Sequence, residues 1–269
     1  MVNNWTATAF NQVPDAENEI DGDKVAKQYG FKGCLVPGAT VAAYLTHPFV
    51  EAFGVAFLET GCAHVRLNSA LYDGDGDGFR VEIEEGEGSA FSARLVQSEA
   101  APCALAEVDV GRNSKSPPVV REDDLGDREA RLMMATPDSM RQLQEDGCKA
   151  FTDRWSADHQ MNAYLRDSSQ RAGSFADGAY ANPSFIIGMS NWVLAANAHM
   201  YPWVLVETRS QNFAPIADGS RVLGEMTIVD LFNRKGHEFV DADFNLFDAE
   251  RGACFSTVQL RAIYRLRGC

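Results

Sequence analysis

The chain has 269 residues, of which 24 are Lys or Arg and 38 are Asp or Glu, a formal charge of −14. At 45% hydrophobic residues it is too apolar for a disordered chain, and it is long enough for one large domain or two of roughly 100–150 residues. The acidity counts against a surface that tracks nucleic-acid phosphates or an anionic membrane, because both demand a positive face.

The opening MVNNWTATAFNQ lacks the basic start and apolar core of a secretory signal. The richest apolar run, residues 185–196, is interrupted by polar residues and falls short of the ~18 that a membrane span needs. Six scattered cysteines form no C-x-x-C pair, so nothing points to a zinc or redox motif. The expectation is a reduced, cytoplasmic protein with no metal and no cofactor.

Acidic residues cluster early, at Asp15, Glu17, Glu19, Asp21 and Asp23. A helical turn through Lys27 and a Gly-rich passage follow, and Pro37-Gly38 opens an apolar helix over residues 39–53 that Pro48 should kink or divide. Unpaired N–H groups at such a helix start can polarise a carbonyl, and Gly38 would let a ligand approach closely. An ordinary loop-to-helix junction has the same composition. Residues 73–84, DGDGDGFRVEIE, match the literal EF-hand expression, but strand-like flanks and Arg80 at loop position 8 favour an acidic hairpin turn. Residues 78–83, 89–98 and 103–110 alternate apolar with polar at period two and read as strands.

A polar hinge, residues 112–127, contains Pro117-Pro118 and many charges that should keep it wet. It separates an N-terminal unit, 1–111, from a C-terminal unit, 128–269. Residues 154–167 read as helical and carry Asp158-His159, a histidine in a polar setting near Arg154 and Tyr164; an exposed helix surface would look the same. Residues 183–199 form a second apolar helix with Asn182 as N-cap and Pro183 at the first helical position. Strands are expected over 203–211, 220–233, 237–247 and 253–266, divided by turns at Asp218-Gly219, Lys235-Gly236 and Arg251-Gly252. His199 could face a pocket or the helix dipole, His237 reads as structural, and His47 and His64 have no distinguishing context. No G-x-S-x-G, P-loop or H-E-x-x-H occurs.

Residues 69–74 stand after the first helix much as residues 214–219 stand after the second, each an extended piece entering an Asp-Gly turn and then strands. One apolar helix followed by antiparallel strands, given twice, outlines an α+β fold of sheets wrapped round buried helices.

Several pieces carry a family likeness: Asn18-Glu-Ile-Asp21, Gly30-Phe31, Leu35-Val-Pro-Gly38, Asn182-Pro183, Pro202-Trp203, residues 234–240 (RKGHEFV) and Ala262-Ile-Tyr-Arg265. Together they resemble the MaoC-like, (R)-specific enoyl-CoA hydratase branch of the hotdog fold, and are closer still to an uncharacterised bacterial group of double-hotdog proteins. That resemblance implies a double hotdog, two antiparallel sheets each wrapped round a central helix, acting as a hydratase or dehydratase on an acyl thioester. It implies acid–base roles for Asp15, Asp21, Asp23 or the His159 region, and substrate contacts at Asn18, Pro37, Gly38, Ala39 and Asn182. The expected partner is a small acyl or polyketide-like molecule, with no nucleic acid or membrane, and a homodimer is compatible. The chain departs from the hydratase motif by carrying Asp21 where that motif has histidine, and Glu19 where it has proline. An Asp15/Asp21 pair could divide the proton work only if burial or mutual repulsion raised one pKa. The departure keeps other readings open: a natural-product isomerase or cyclase, a thioesterase, or a non-catalytic acyl binder.

Overall fold

The computed structural model describes residues 1–13, 27, 31–32, 35–73, 78–97, 101–111, 115–127, 132–200 and 202–268. Helix α1, Gly38–Phe53, has no polar face at all: residues 39–50 are buried without a break. Such a helix needs cover on every side. Pro48 does not divide it. Close packing all round compensates the missing N–H, and the helix ends instead at Gly54, whose φ of 58° is a left-handed conformation suited to glycine. A short helix α2, Val55–Thr60, follows.

Among the described residues ten strands wrap the helices in one sheet: β1 Trp5–Thr8, β2 Cys62–Leu67, β3 Gly78–Glu85, β4 Ala90–Val96, β5 Ala104–Asp109, β6 Phe151–Arg154, β7 Val204–Asn212, β8 Arg221–Arg234, β9 His237–Asp248 and β10 Cys254–Arg265. Their order is β1-β3-β4-β5-β2-β7-β10-β9-β8-β6, and every pairing is antiparallel. The order is a mirror about the β2–β7 seam, where Val65 pairs with Thr208.

The second helix of the pattern is α4, Pro183–Ala195, after an amphipathic α3 at Pro137–Asp146. Asn182 caps α4, its side chain accepting from the amides of Ser184 (2.9 Å) and Phe185 (3.3 Å). The helix stops four residues before His199, where Asn197 Nδ2 donates to the helix carbonyl Val193 O (2.9 Å) and ties the end to Lys149 O (2.9 Å). On the sheet beneath, a Cβ at Gly224 would stand 2.5 Å from Val193 Cγ2, so glycine lets helix and sheet close. The helical reading of residues 154–167 gives way to strand β6, turns and a short 3₁₀ turn at Gln160–Ala163.

The faint echo between the halves is structural. Val36 N donates to Leu71 O (2.9 Å) as Ala181 N donates to Ile216 O (2.8 Å). Leu35 bridges Tyr72 as Tyr180 bridges Ala217. Asp73 accepts from Asn11 N (2.8 Å), three residues past β1, and Asp218 accepts from Ala157 N (3.2 Å), three residues past β6. Asp73 is further held by Arg166, so the first carboxylate of the EF-hand-like run is engaged in the fold. Residues 74–77 lie outside the described residues.

The described part of the hinge is mostly exposed, as its composition implies, but Arg121 pins it to the sheet. Arg121 N donates to both carboxylate oxygens of Glu225 (3.0 and 3.1 Å), and its guanidinium reaches Thr227 Oγ1 (2.8 Å) and Met226 O (2.9 Å). Glu225, on the outer face of β8, is thereby fully buried. Removing the guanidinium would leave that carboxylate with a backbone amide alone. Arg121→Ala should cost about 2 kcal/mol, read as a lower urea midpoint with an unchanged slope. Among the described residues no helix is long and apolar enough to cross a membrane.

Candidate active site

The two buried helices meet at their first turns, where Thr40 Oγ1 lies 3.1 Å from Ser184 Oγ. Their ends differ. The start of α4 is closed by the Asn182 cap. The start of α1 has Pro37 as its N-cap residue, which offers no side-chain acceptor. Pro37 O takes the amides of Thr40 (2.9 Å) and Val41 (3.0 Å), and among the described residues none accepts from those of Gly38 and Ala39.

What lies before them is a cavity of about 750 Å³, within the range of small-molecule sites. Pro37, Gly38, Ala39 and Val41 form one wall, and Leu67 at the end of β2 with residues 68–71 another. Val204, Leu205 and Val206 of β7 and Ile263 of β10 close the sheet side, and Gly188, Asn191 and Trp192 of α4 face them. Gly38 is required by close approach, since a Cβ there would stand 2.8 Å from Leu67 Cδ1 and 3.1 Å from Leu205 Cβ. The wall is mostly aliphatic and aromatic. Among the described lining residues none carries an ionisable carboxylate, imidazole or amine.

Pro37, Gly38 and Ala39, expected from the sequence to contact substrate, line this cavity together. Asn182 does not line it; it is buried, and its Nδ2 donates to Met161 O (2.8 Å), which holds the neighbouring wall in place. His159 is also absent from the lining, though Gln160 and Met161 beside it are present. Its Nδ1 accepts from Met161 N (3.1 Å), so the proton of the neutral ring sits on Nε2, 3.9 Å from Asp153 Oδ2. The ring packs against Trp155, Phe185 and Trp192. Asp15, Asn18, Asp21 and Asp23 lie outside the described residues. The chain on either side of them, at Gln12, Val13 and Phe31, belongs to the cavity wall.

Sequence reasoning missed Gln12, Asn191, Trp192 and Trp203 of the lining. The one available signal was the polar interruption of an otherwise apolar helix at Asn191. It also missed His47, which is buried in α1 with Nδ1 2.8 Å from Tyr164 Oη and its ring stacked on Trp5. His64 has partners too, lying 2.5 Å from Glu207 across the β2–β7 seam. Burial pushes the Glu207 carboxyl up, but the hydrogen bond and charge of His64 together with the guanidiniums of Arg261 and Arg209 outweigh it and hold the carboxyl below its ordinary range.

No protein-family model matches the chain, and no curated protein matches it by sequence. Solved structures do match it in fold. The tesB protein of Mycobacterium avium subsp. paratuberculosis has a TM-score of 0.54 at 11% identity, covering 98% of this chain and 93% of that one. The dehydratase domain of PpsC from Mycobacterium tuberculosis, in complex with C12:1-CoA, has a TM-score of 0.54 at 15% identity, covering 96% and 92%. Rv0216 from Mycobacterium tuberculosis, a double hotdog protein, has a TM-score of 0.56 at 11% identity, covering 97% and 95%. These neighbours carry different names, a tesB protein and a dehydratase domain among them, and at such identities they speak for the fold alone. Two buried helices wrapped by one mirrored antiparallel sheet, matched end to end by these structures, make the fold of this chain a double hotdog.

Proposed function

We propose that the chain is a MaoC-like hydratase or dehydratase whose substrate is an acyl thioester held in the α1 cavity. The observation that carries this reading is the uncapped start of α1 opening onto a mostly apolar cavity. The thioester carbonyl sits against the amides of Gly38 and Ala39, where the helix dipole and two N–H donors stabilise negative charge developing on its oxygen. The acyl chain lies along Leu67, Leu205 and Trp192. The proton work falls to Asp15, Asp21 or Asp23, on the stretch whose two ends enter the cavity wall at Val13 and Phe31. His159 serves by positioning, since its ring braces Trp192 and its Nδ1 fixes Met161.

Crotonyl and longer enoyl thioesters, followed by loss of the enoyl absorbance, test this. Turnover is expected, and Asp21→Asn should reduce it by about 10²–10⁴-fold without loss of fold or of ligand-induced thermal stabilisation. Unchanged turnover in Asp21→Asn would reject that residue as the acid or base. A second reading, an acyl-ligand binder without chemistry, is favoured by the lack of ionisable groups among the described lining residues. It predicts stabilisation by the same thioesters with no absorbance change. Release of free thiol, in place of hydration, would mark a thioesterase.

A further inference from the structure

Among the described residues, two buried side-chain polar atoms have no hydrogen-bond partner: Gln12 Oε1 and Asn191 Oδ1. Both residues line the α1 cavity. A protein interior pairs nearly all its buried polar atoms, and an exception costs about 1–3 kcal/mol. Two exceptions on the wall of one cavity, in an otherwise satisfied fold, mark a place built for a group that the chain itself does not supply.

The surroundings say what kind of group. Gln12 Nε2 is turned toward Met161 Sδ (2.7 Å), a weak acceptor, which leaves the amide oxygen as the unmet half. Met161 in turn approaches Gly188, where a Cβ would stand 3.6 Å from its Cε. Asn191 is one turn further along α4 from Gly188, so the two oxygens belong to the same region of the wall. Both are carbonyl acceptors, and no cation or ionisable group lines the cavity among the described residues. The missing partner is therefore a neutral hydrogen-bond donor. Asn191 also lies away from the α1 start: Ser184 touches Thr40 there, and Asn191 stands about 10 Å further along the α4 axis.

We infer that the acyl group of the ligand carries a hydroxyl several carbons beyond the thioester, whose O–H donates to one of the two amide oxygens while its oxygen accepts from the NH₂ of the other amide after a modest rotation of that side chain. This rests on the acyl-thioester reading above and narrows it, making the two amides specificity-determining residues for a hydroxylated chain. A pocket with unpaired acceptors rejects a plain alkyl chain because filling it with methylenes leaves both oxygens stranded.

The test is a set of ketone analogues of dodecanoyl-CoA, in which a methylene separates the sulfur from the carbonyl so that the thioester bond is absent, with the hydroxyl moved carbon by carbon along the chain, titrated calorimetrically against the unsubstituted chain. One hydroxyl position should bind at least about ten-fold tighter than dodecanoyl itself. Asn191→Leu and Gln12→Met should each bring that preference close to unity while leaving dodecanoyl affinity equal or raised. If every hydroxylated chain binds no better than the plain one, the inference is overturned while the acyl-thioester reading stands. If no chain of either kind binds, both fall. Should Asn191→Leu fail to fold, Gln12→Met, at a partly exposed position, decides alone.

Discussion

Replacing Asn182 with alanine should lower the stability of the chain by about 3 kcal/mol, measured as the shift of the denaturant midpoint. The side chain is wholly buried and does two things at once. Its oxygen takes the amides of Ser184 and Phe185, and its Nδ2 donates to Met161 O. Alanine strands a helix start and a carbonyl in a space that water cannot reach. Asn182→Asp separates the two roles, because aspartate keeps the cap but loses the donor to Met161 and buries a charge. A cap-only role predicts that Asp rescues; the double role predicts that it does not. Since Met161 forms part of the cavity wall, the variant should also weaken thioester binding where it still folds.

The second large effect is acid lability set by His47. Burial without a charged partner pushes its pKa down from 6.5 to about 4. The folded chain therefore keeps this ring neutral while the unfolded chain protonates it. Between pH 6.5 and 4 the unfolded state holds the extra proton, so stability rises with pH across that window and is lost as pH falls through it. The whole effect is about 3 kcal/mol, near 1.4 kcal/mol per pH unit. Above pH 7 it contributes no slope. His47→Gln keeps a polar partner for Tyr164 and removes the titration, so the loss of stability from pH 7 to pH 4 should be smaller in the variant by that amount. Comparing the two chains cancels the carboxylates that titrate in the same range. Equal losses would mean that His47 is solvated, contrary to its position between Trp5 and Tyr164.

Much of the fold was written locally. Asn182-Pro183 before an apolar run is a helix start by its own chemistry, and α4 begins there. Period-two alternation bounded by Asp-Gly, Lys-Gly and Arg-Gly turns located β8, β9 and β10 to within a residue or so. The likeness of residues 69–73 to 214–218 survived as matching hydrogen bonds because Asp73 and Asp218 close the same corner. Short pieces were illegible. β1 is four residues, WTAT, too brief for a period to show, and it exists because β3 supplies its partners. Residues 154–167 have helical composition, yet β8 recruits Arg154 into the sheet and His159 caps a 3₁₀ turn instead.

The site divides along the same line. Pro37-Gly38-Ala39 could be read as an open helix start, since the lack of a capping side chain is visible in sequence. Gln12, Asn191 and Trp203 could not, because what places them on one cavity is the pairing of β2 with β7 at the seam and the crossing of α4 over it. His47 was silent for the same reason: its partners Trp5 and Tyr164 come from distant parts of the chain.

The central claim is that an acyl thioester occupies the cavity with its carbonyl at the start of α1. A crystal structure of the full chain soaked with the ketone analogue of dodecanoyl-CoA, in which a methylene separates sulfur from carbonyl, or with the slow-reacting enoyl thioester, tests it most directly. The account predicts the carbonyl oxygen, or the atom standing in for it, within hydrogen-bond distance of the Gly38 and Ala39 amides, with the chain against Leu67, Leu205 and Trp192. Ligand density elsewhere, or a carbonyl turned away from those two amides with the cavity empty, would contradict it.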